Sequence, residues 1–402
     1  MTQTRAAVGA DVPEPQRDRR TPQPAPVRST PLRRLPSFGR PPRVMGVDVA
    51  RGVAVVGMLG AHVGVTEAFD WARVETWTDV VHGRSSLLFA LVAGISVALL
   101  AGGTRRPTDA ALPRLRLRLV GRGAVVFAIG CSLELLGTGV SVVLTVYGIL
   151  FVAIIPFLRW RRRSLWIAAA AFALLGPLAL ALVRLAAGDP YGEGIALVLG
   201  PYPITAWLPL LLAGLAIGRT DLLRARTAVA LLAGGALATA VGYGAGALAI
   251  PPLEAWASGD LSATPVLARL VELGIPLRPL WSLVEVAPHS GATLEIVGSG
   301  GLAAAIVGAC LLLARPLRWV LLPLAALGSM PLTAYSAQLV VIALIGGLAG
   351  AAALDGAMWP LLTGALLVAT TAWMAVLGAG PLERLARRAS AWMAGATSAD
   401  RA

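Results

Sequence analysis

The sequence contains no lysine, and charged residues of all kinds make up only 14% of its 402 positions. Hydrophobic residues account for 57%, and the mean hydropathy is +0.75. A soluble chain of this length would need far more charge to cover its surface. The scarcity of charge therefore excludes an ordinary soluble protein and indicates an all-α, polytopic bundle of transmembrane helices that packs in the lipid bilayer.

The sequence also lacks the usual signatures of metal sites and soluble enzymes. It has no HxxxH, HExxH or CxxC spacing, no Walker phosphate loop and no GxSxG elbow, so we expect no bound metal. Its two cysteines, Cys131 and Cys310, both lie inside apolar runs, and we expect no disulfide between them.

Ten apolar runs are each near the roughly 20 residues that cross a bilayer. They cover 46–66, 82–102, 119–137, 140–158, 165–186, 203–218, 227–249, 292–314, 319–346 and 357–379. The ninth contains Pro323 and Pro331, which predicts a broken helix or two short ones, and so ten or eleven spans. Gly242 and Gly246 in the seventh run are explained by close helix packing.

The 34 arginines alternate with these runs and orient them. With a cytoplasmic N-terminus, the outer loops contain only Arg73, Arg184, Arg269 and Arg278, whereas each inner loop is basic. This is the positive-inside pattern, and it predicts ten spans with both termini in the cytoplasm. Because the pattern explains the net charge of +13, that charge does not indicate a nucleic-acid partner.

Three segments follow from this organisation. Residues 1–42 contain eight arginines and nine prolines and predict a disordered cytoplasmic tail. Residues 43–380 form the transmembrane domain, and residues 381–402 form a short cytoplasmic tail. We expect the protein in a bacterial cytoplasmic (inner) membrane.

The three histidines all fall on the predicted outer side. His62 lies late in the first run, His82 opens the second, and His289 precedes the eighth. A histidine beside a span is either an interfacial residue bonded to backbone or a functional group, and a neutral imidazole is the commonest general base near neutral pH. The sequence leaves both interpretations open.

Charged residues within the spans add further candidates. Asp48 and Arg51 are three residues apart and can form an ion pair along one helix face, or can hold a phosphorylated donor. Arg84 follows His82, and Glu134 and Glu295 lie near the outer ends of their spans. Each of these carboxylates either pairs with an arginine or accepts a proton.

Several stretches resemble a known family. RVMGVDVARGVAVVGMLGAHVG (43–64) and HGRSSLLFALVAGISVAL (82–99) resemble the first two spans of the heparan-α-glucosaminide N-acetyltransferase and YeiB-like membrane family. Three later stretches, 202–219, 288–316 and 327–340, resemble its later blocks in the same order, so the resemblance covers 43–380. In the last block some relatives have histidine where this chain has Gln338.

The resemblance implies acyl transfer across the membrane from cytoplasmic acyl-CoA to an outer acceptor. His82 is the nearest match to the family's suspected active histidine, which lies between the first two spans, and His62 and His289 are the other candidates. The candidate hydrogen-bond donors to the oxyanion are Arg84, Ser85, Thr333 and Tyr335. The candidates to bind the phosphates of acyl-CoA are Arg43, Arg51, Arg105 and Arg106. His62 lies eleven residues beyond Arg51, about 16 Å along a helix, so the thioester must reach deep into the bundle.

These observations predict a membrane acyltransferase that moves an acyl group, in the first instance acetyl from acetyl-CoA, to a glycan, glycolipid or small-molecule acceptor. A transporter for a small or lipidic solute is the alternative, although no inverted repeat is evident in the sequence. A membrane protein without catalytic activity is the third reading.

Overall fold

The computed structural model describes residues 38, 43–64, 72–73, 76, 84–187, 204–257, 269, 272–274, 278–354 and 356–395. The predicted tail 1–42 lies outside these residues apart from Phe38, and so does His82. The described part is helical, with no strand among the residues given above. This agrees with the all-α prediction and with the physics of a bilayer, where a helix satisfies its own backbone hydrogen bonds.

Each of the ten apolar runs forms at least one helix. In chain order the helices are α1 (Met45–Val63), α2 (Arg84–Leu100), α3 (Leu112–Glu134), α4 (Leu144–Ala153), α5 (Arg162–Ala187), α6 (Ile204–Ile217), α7 (Ala225–Ala257), α8 (Arg278–Val284), α9 (Thr293–Leu313), α10 (Leu322–Ser329), α11 (Pro331–Leu344), α12 (Gly347–Ala352), α13 (Met358–Leu377) and α14 (Pro381–Met393). A 3₁₀ helix, Ile155–Arg159, follows α4.

Five of these helices, α1, α5, α7, α9 and α13, are long and apolar enough to cross a membrane. A sixth span results if α10 and α11 are counted together. The apolar helices α2, α4 and α6 are shorter, with 10 to 17 residues. The chain is therefore a multi-pass membrane protein, whereas the count of ten spans and the orientation of the termini stay predictions.

The break predicted in the ninth run is confirmed. Helices α10 and α11 meet at Met330 and are bent by 88°. Pro323 lies in the first turn of α10 and Pro331 begins α11, where a missing backbone N–H leaves no intrahelical bond unmade. The bend directs α11 away from α10 in the interior of the protein.

Helix α1 is the centre of the bundle, and it packs against α2, α9, α10 and α13. Its approach to α10 is so close that a Cβ atom on Gly328 would lie 1.9 Å from the carbonyl oxygen of Asp48. A Cβ atom on Gly52 would lie 2.1 Å from the carbonyl oxygen of Leu324. Small residues at both positions therefore bring the α1 backbone into contact with the helix break.

Glycines also fix the other close crossings. A Cβ atom on Gly94 of α2 would lie 2.0 Å from the Leu211 carbonyl oxygen of α6. A Cβ atom on Gly242 of α7 would lie 2.4 Å from the Gly298 nitrogen of α9, and one on Gly246 would lie 2.3 Å from the Val286 side chain. The interpretation of Gly242 and Gly246 as packing residues is confirmed.

Helix α14, like the short helices α8 and α12, lies in a segment where the sequence predicted no helix. It lies within the segment 381–402 and is amphipathic, with basic residues on one side, and it packs against α3 and α11. It therefore contributes side chains to the interior of the bundle.

Candidate active site

A network of charged groups surrounds Asp48 in the first turn of α1. The Asp48 carboxylate is buried and accepts hydrogen bonds from Arg43 at 2.5 Å and from Arg51 at 2.9 Å. Arg51 also donates to the Gly328 carbonyl and to the Ser96 hydroxyl, each at 2.7 Å. The predicted Asp48–Arg51 pair is present, and Arg51 joins α1 to α2 and to the helix break.

A cavity of about 260 Å³ lies beside this network. Three arginines, Arg43, Arg122 and Arg387, line it together with Glu383, and Tyr147 lines it on α4. Arg122 and Arg387 come from α3 and α14 and were not among the predicted donor-binding residues. The cavity therefore has the cationic walls that an anionic ligand requires. We call it the arginine cavity.

Glu383 fixes α14 to the beginning of α11. Its carboxylate accepts hydrogen bonds from the backbone N–H groups of Leu332 at 2.7 Å and Thr333 at 3.1 Å, and from the Thr333 hydroxyl at 2.5 Å. A carboxylate at a helix N-terminus satisfies donors that the helix itself leaves open, and it is stabilised by the helix dipole. This contact occupies Thr333, one of the predicted oxyanion donors.

The start of α4 joins a tyrosine of the arginine cavity to a tyrosine that contacts the end of α1. The Tyr147 hydroxyl donates to the Ser86 carbonyl at 3.0 Å, and its ring packs against Phe89 with centroids 5.0 Å apart. The Tyr335 hydroxyl accepts a hydrogen bond from the Val143 N–H, one turn before Tyr147. The Tyr335 ring also packs against the His62 imidazole in an edge-to-face arrangement, with ring centroids 6.3 Å apart.

Gln338 lies one turn after Tyr335 on α11 and is completely buried. Within the described part of the chain, neither its amide nitrogen nor its amide oxygen has a hydrogen-bond partner. Buried polar groups are usually paired, so such an amide is a candidate for contact with a ligand. Because an unpaired charge is costly to bury, the neutral amide of Gln338 suits this position better than a charged side chain.

A second polar cluster involves Arg84 at the start of α2. The Arg84 Nε donates to the Tyr243 hydroxyl at 2.9 Å, and this hydroxyl lies 2.7 Å from the Ser299 hydroxyl. Arg84 therefore links α2 to α7 and α9. Tyr243 and Ser299 were not predicted, since nothing in the sequence pairs residues so far apart along the chain.

Glu295 lies near this cluster in the first turn of α9. Its buried carboxylate accepts hydrogen bonds from the His289 N–H at 2.9 Å, the Gly291 N–H at 2.6 Å and the Ser290 hydroxyl at 3.0 Å. Ser299 of the Arg84 cluster lies one turn after Glu295 on α9. Glu295 therefore holds the loop before α9, including exposed His289, whose φ of 67° is left-handed.

The sequence of this chain matches the model of a known protein family. The model for heparan-alpha-glucosaminide N-acetyltransferase, catalytic, matches residues 43–250, which is 208 of the 402 residues. The chain belongs to this family. No curated protein and no solved structure matches it significantly.

The family match covers only some of the site residues. His62, Arg51, Arg84, Arg122 and Tyr147 lie within the matched segment. The remaining site residues lie beyond residue 250 and include Glu295, Tyr335, Gln338, Glu383 and Arg387. The family uses acetyl-CoA as its acetyl donor. The resemblance to this family that the sequence predicted is confirmed.

The other predicted site residues lie apart from the arginine cavity or outside the described residues. Arg105 and Arg106 are exposed in the turn after α2 and do not line it. Glu134 is exposed at the end of α3, where it accepts a hydrogen bond from the Val142 N–H at 3.0 Å. His82 lies outside the described residues.

Arg219, just after α6, has a structural role. Its guanidinium donates to the carbonyls of Leu158 and Trp160 at the end of the 3₁₀ helix. Burial lowers the pKa of Arg219, and the positive charge of nearby Arg106 lowers it further. Arg219 nevertheless stays charged at neutral pH, because an arginine pKa begins far above 7.

Proposed function

We propose that this protein is a membrane acetyltransferase that moves an acetyl group from cytoplasmic acetyl-CoA to an acceptor on the other side of the membrane. The observation that carries the proposal is the arginine cavity, which lies within a member of an acetyltransferase family and is linked through Tyr147 and Tyr335 to His62. This arrangement supplies a cationic site at one end of α1 and a basic group at the other.

In this proposal the donor's phosphates bind to Arg43, Arg122 and Arg387. Phosphate oxygens form strong charge-assisted hydrogen bonds with guanidinium groups. Glu383 does not neutralise this site fully, since its single carboxylate faces three guanidinium groups. The acyl arm then points toward Tyr147, a buried residue of α4 that lines the cavity.

The chemical step needs a base and donors for the oxyanion. The acceptor's amine or hydroxyl attacks the thioester carbonyl, its proton passes to a histidine, and the C–S bond breaks to release the CoA thiolate, which takes up a proton. We assign the base to His82 or His62, with His289 as the least favoured candidate because its exposed loop is held by Glu295. Gln338 and Tyr335 are the proposed donors to the oxyanion.

The orientation follows from the placement of the arginines. We propose that the Asp48 end of α1 faces the bacterial cytoplasm, since the basic turns at 105–118 and 159–163 belong to that end in the ten-span topology. Both termini are then cytoplasmic, the arginine cavity opens to cytoplasmic acetyl-CoA, and His62 lies toward the outer surface.

A solute transporter is the second candidate, and the bend of 88° between α10 and α11 is the observation that favours it. Broken helices beside buried polar groups form the binding sites of many transporters. Such a protein would move its solute without acetyl-CoA.

Release of the CoA thiol tests the proposal. Purified protein is given acetyl-CoA and glucosamine, and free thiol is measured for the wild type and for His62→Ala, His82→Ala and His289→Ala. We expect acceptor-dependent thiol release that one of the first two substitutions reduces by at least about 100-fold, as the loss of a general base requires. Solute uptake without thiol release would instead support the transporter.

A further inference from the structure

A second cavity lies on the opposite side of α2 from the arginine cavity and has a volume of about 460 Å³. It is formed by α5, α6, α7 and α9 and is lined almost entirely by alanine, glycine and branched apolar residues. This volume lies within the range of small-molecule sites. Since its walls offer hardly any polar group, the ligand portion that fits here is a hydrocarbon.

The cavity is elongated along the helices. Its wall on α7 runs from Ala230 to Ala238, nine residues whose Cα atoms span about 12 Å at the rise of an α-helix. Trp166 on α5 lines it and is 45% exposed, and Gly234 on α7 is exposed as well. The cavity is therefore open between α5 and α7, two helices whose outer faces are apolar and suited to contact with lipid.

One end of the cavity lies beside the Arg84–Tyr243–Ser299 cluster. Ile296 and Gly300 of α9 line the cavity, and they are the neighbours of Glu295 and Ser299 in the sequence. Tyr243, which contacts Ser299, lies five residues beyond Ala238 on α7. A molecule with its chain in the cavity thus has hydrogen-bonding groups next to its polar end, on the side of the protein where Arg84 begins α2.

We propose that the acetyl acceptor is lipid-linked, with one hydrocarbon chain in this cavity and its polar head group at the Arg84–Tyr243–Ser299 cluster. The inference rests on the proposed function and adds the class of acceptor to it. A lipid enters from the bilayer through the opening between α5 and α7. The cluster then hydrogen-bonds the head group near the start of α2, which is the end of the bundle that also carries His62.

Gly234 provides a direct test. It lines the cavity, and a Cβ atom at this position would meet no other atom within 4 Å, so Gly234→Phe adds a ring at the cavity wall without a clash between its Cβ and the backbone. Gly244 is its matched control. It lies on the same helix, is exposed, has equal space around its Cβ position, and does not line the cavity.

The probe is a hexadecyl glucosaminide with a diazirine in its chain, added to purified protein in lipid nanodiscs. After illumination, cross-linked peptides are identified by mass spectrometry. We expect cross-links to α5, α7 and α9 in the wild type and in Gly244→Phe, and at least about tenfold fewer in Gly234→Phe. Size-exclusion chromatography and thermal unfolding establish that both variants are folded, and Gly234→Ala serves as a milder replacement if Gly234→Phe is not.

Equal cross-linking in the two phenylalanine variants, or cross-links spread over all lipid-facing helices, would overturn the inference. CoA release with free glucosamine, measured in the same preparations, separates the two proposals. If that release proceeds and the cavity-specific cross-links are absent, the lipid site is wrong and the acetyltransferase stands. If the cross-links are present and no acceptor supports CoA release, the protein binds this lipid class without acting as the proposed enzyme, and the assignment of the lipid as acceptor fails.

Discussion

The Tyr335 ring stands edge-on to the His62 imidazole, with centroids 6.3 Å apart, and thereby connects the end of α1 to α11. The Tyr335 hydroxyl accepts a hydrogen bond from the Val143 N–H, so the same residue also contacts the chain just before α4. Tyr147, one turn later, lines the arginine cavity. The two contacts of Tyr335, with His62 and with Val143, therefore link the histidine end of the bundle to the helix that lines the proposed donor site.

Two substitutions of Tyr335 separate packing from hydrogen bonding. Tyr335 is 2% exposed, so Tyr335→Ala removes a buried aromatic ring and should lower the free energy of unfolding by about 3–5 kcal/mol. Tyr335→Phe keeps the ring and should lower it by only about 1 kcal/mol. Thermal or denaturant unfolding in detergent measures both. Equal losses would show that the ring is not the main contribution of Tyr335 to stability.

Arg387 should contribute to acetyl-CoA binding. It lines the arginine cavity, so Arg387→Gln removes a charge-assisted hydrogen bond worth about 1.5–3 kcal/mol and should raise the KM for acetyl-CoA about 10- to 100-fold. Arg388→Gln is the control, since Arg388 is the next residue on α14, is exposed and does not line the cavity. The KM of the control should match the wild type, and a similar rise in both variants would point to a general effect of charge.

Asp48 should be needed for stability. Its carboxylate is 7% exposed and lies between Arg43 and Arg51, so Asp48→Asn leaves Arg51 with an uncompensated charge and should lower the free energy of unfolding by about 3–5 kcal/mol. Asp221 forms an exposed pair of the same spacing with Arg224, and Asp221→Asn should lower it by at most about 1 kcal/mol. If Asp48→Asn were as mild as its control, Asp48 would not hold the network together.

Gly94 tests the crossing of α2 and α6. A Cβ atom there would lie 2.0 Å from the Leu211 carbonyl oxygen, so Gly94→Ala forces the two backbones apart and should lower stability by about 1–3 kcal/mol. Gly234→Ala places the same methyl group on a helix where no atom lies within 4 Å and should not reduce stability. The unfolding temperatures of the two variants should therefore differ, with Gly94→Ala the lower.

The fold could be predicted from the sequence to the extent that it depends on local pattern. Each apolar run forms a helix, and Pro323 and Pro331 predicted the break that separates α10 from α11. Hydropathy failed for α14, because an amphipathic helix with several arginines does not have the composition of a span. Its position against α3 depends on contacts between distant residues, which no local pattern contains.

The site was predictable only where its partners are close in the chain. Asp48 and Arg51 are three residues apart, and the predicted ion pair forms. The partners of Arg51 on α2 and α10, and those of Arg84 on α7, are 45 to 277 residues away. Arg387 and Glu383 lie in the segment predicted as a short cytoplasmic tail, and only the packing of α14 brings them to the cavity.

The most direct test of acetyl transfer across the membrane uses proteoliposomes with glucosamine or its hexadecyl glycoside inside and radiolabelled acetyl-CoA outside. We predict label on the enclosed acceptor in the wild type and in His289→Ala, and its loss in either His62→Ala or His82→Ala. We also expect a reduced rate for Arg387→Gln at low acetyl-CoA that recovers at high acetyl-CoA. An absence of both labelled acceptor and released CoA with folded, correctly inserted protein would contradict the claim that acetyl passes from the arginine cavity to the histidine end of the bundle.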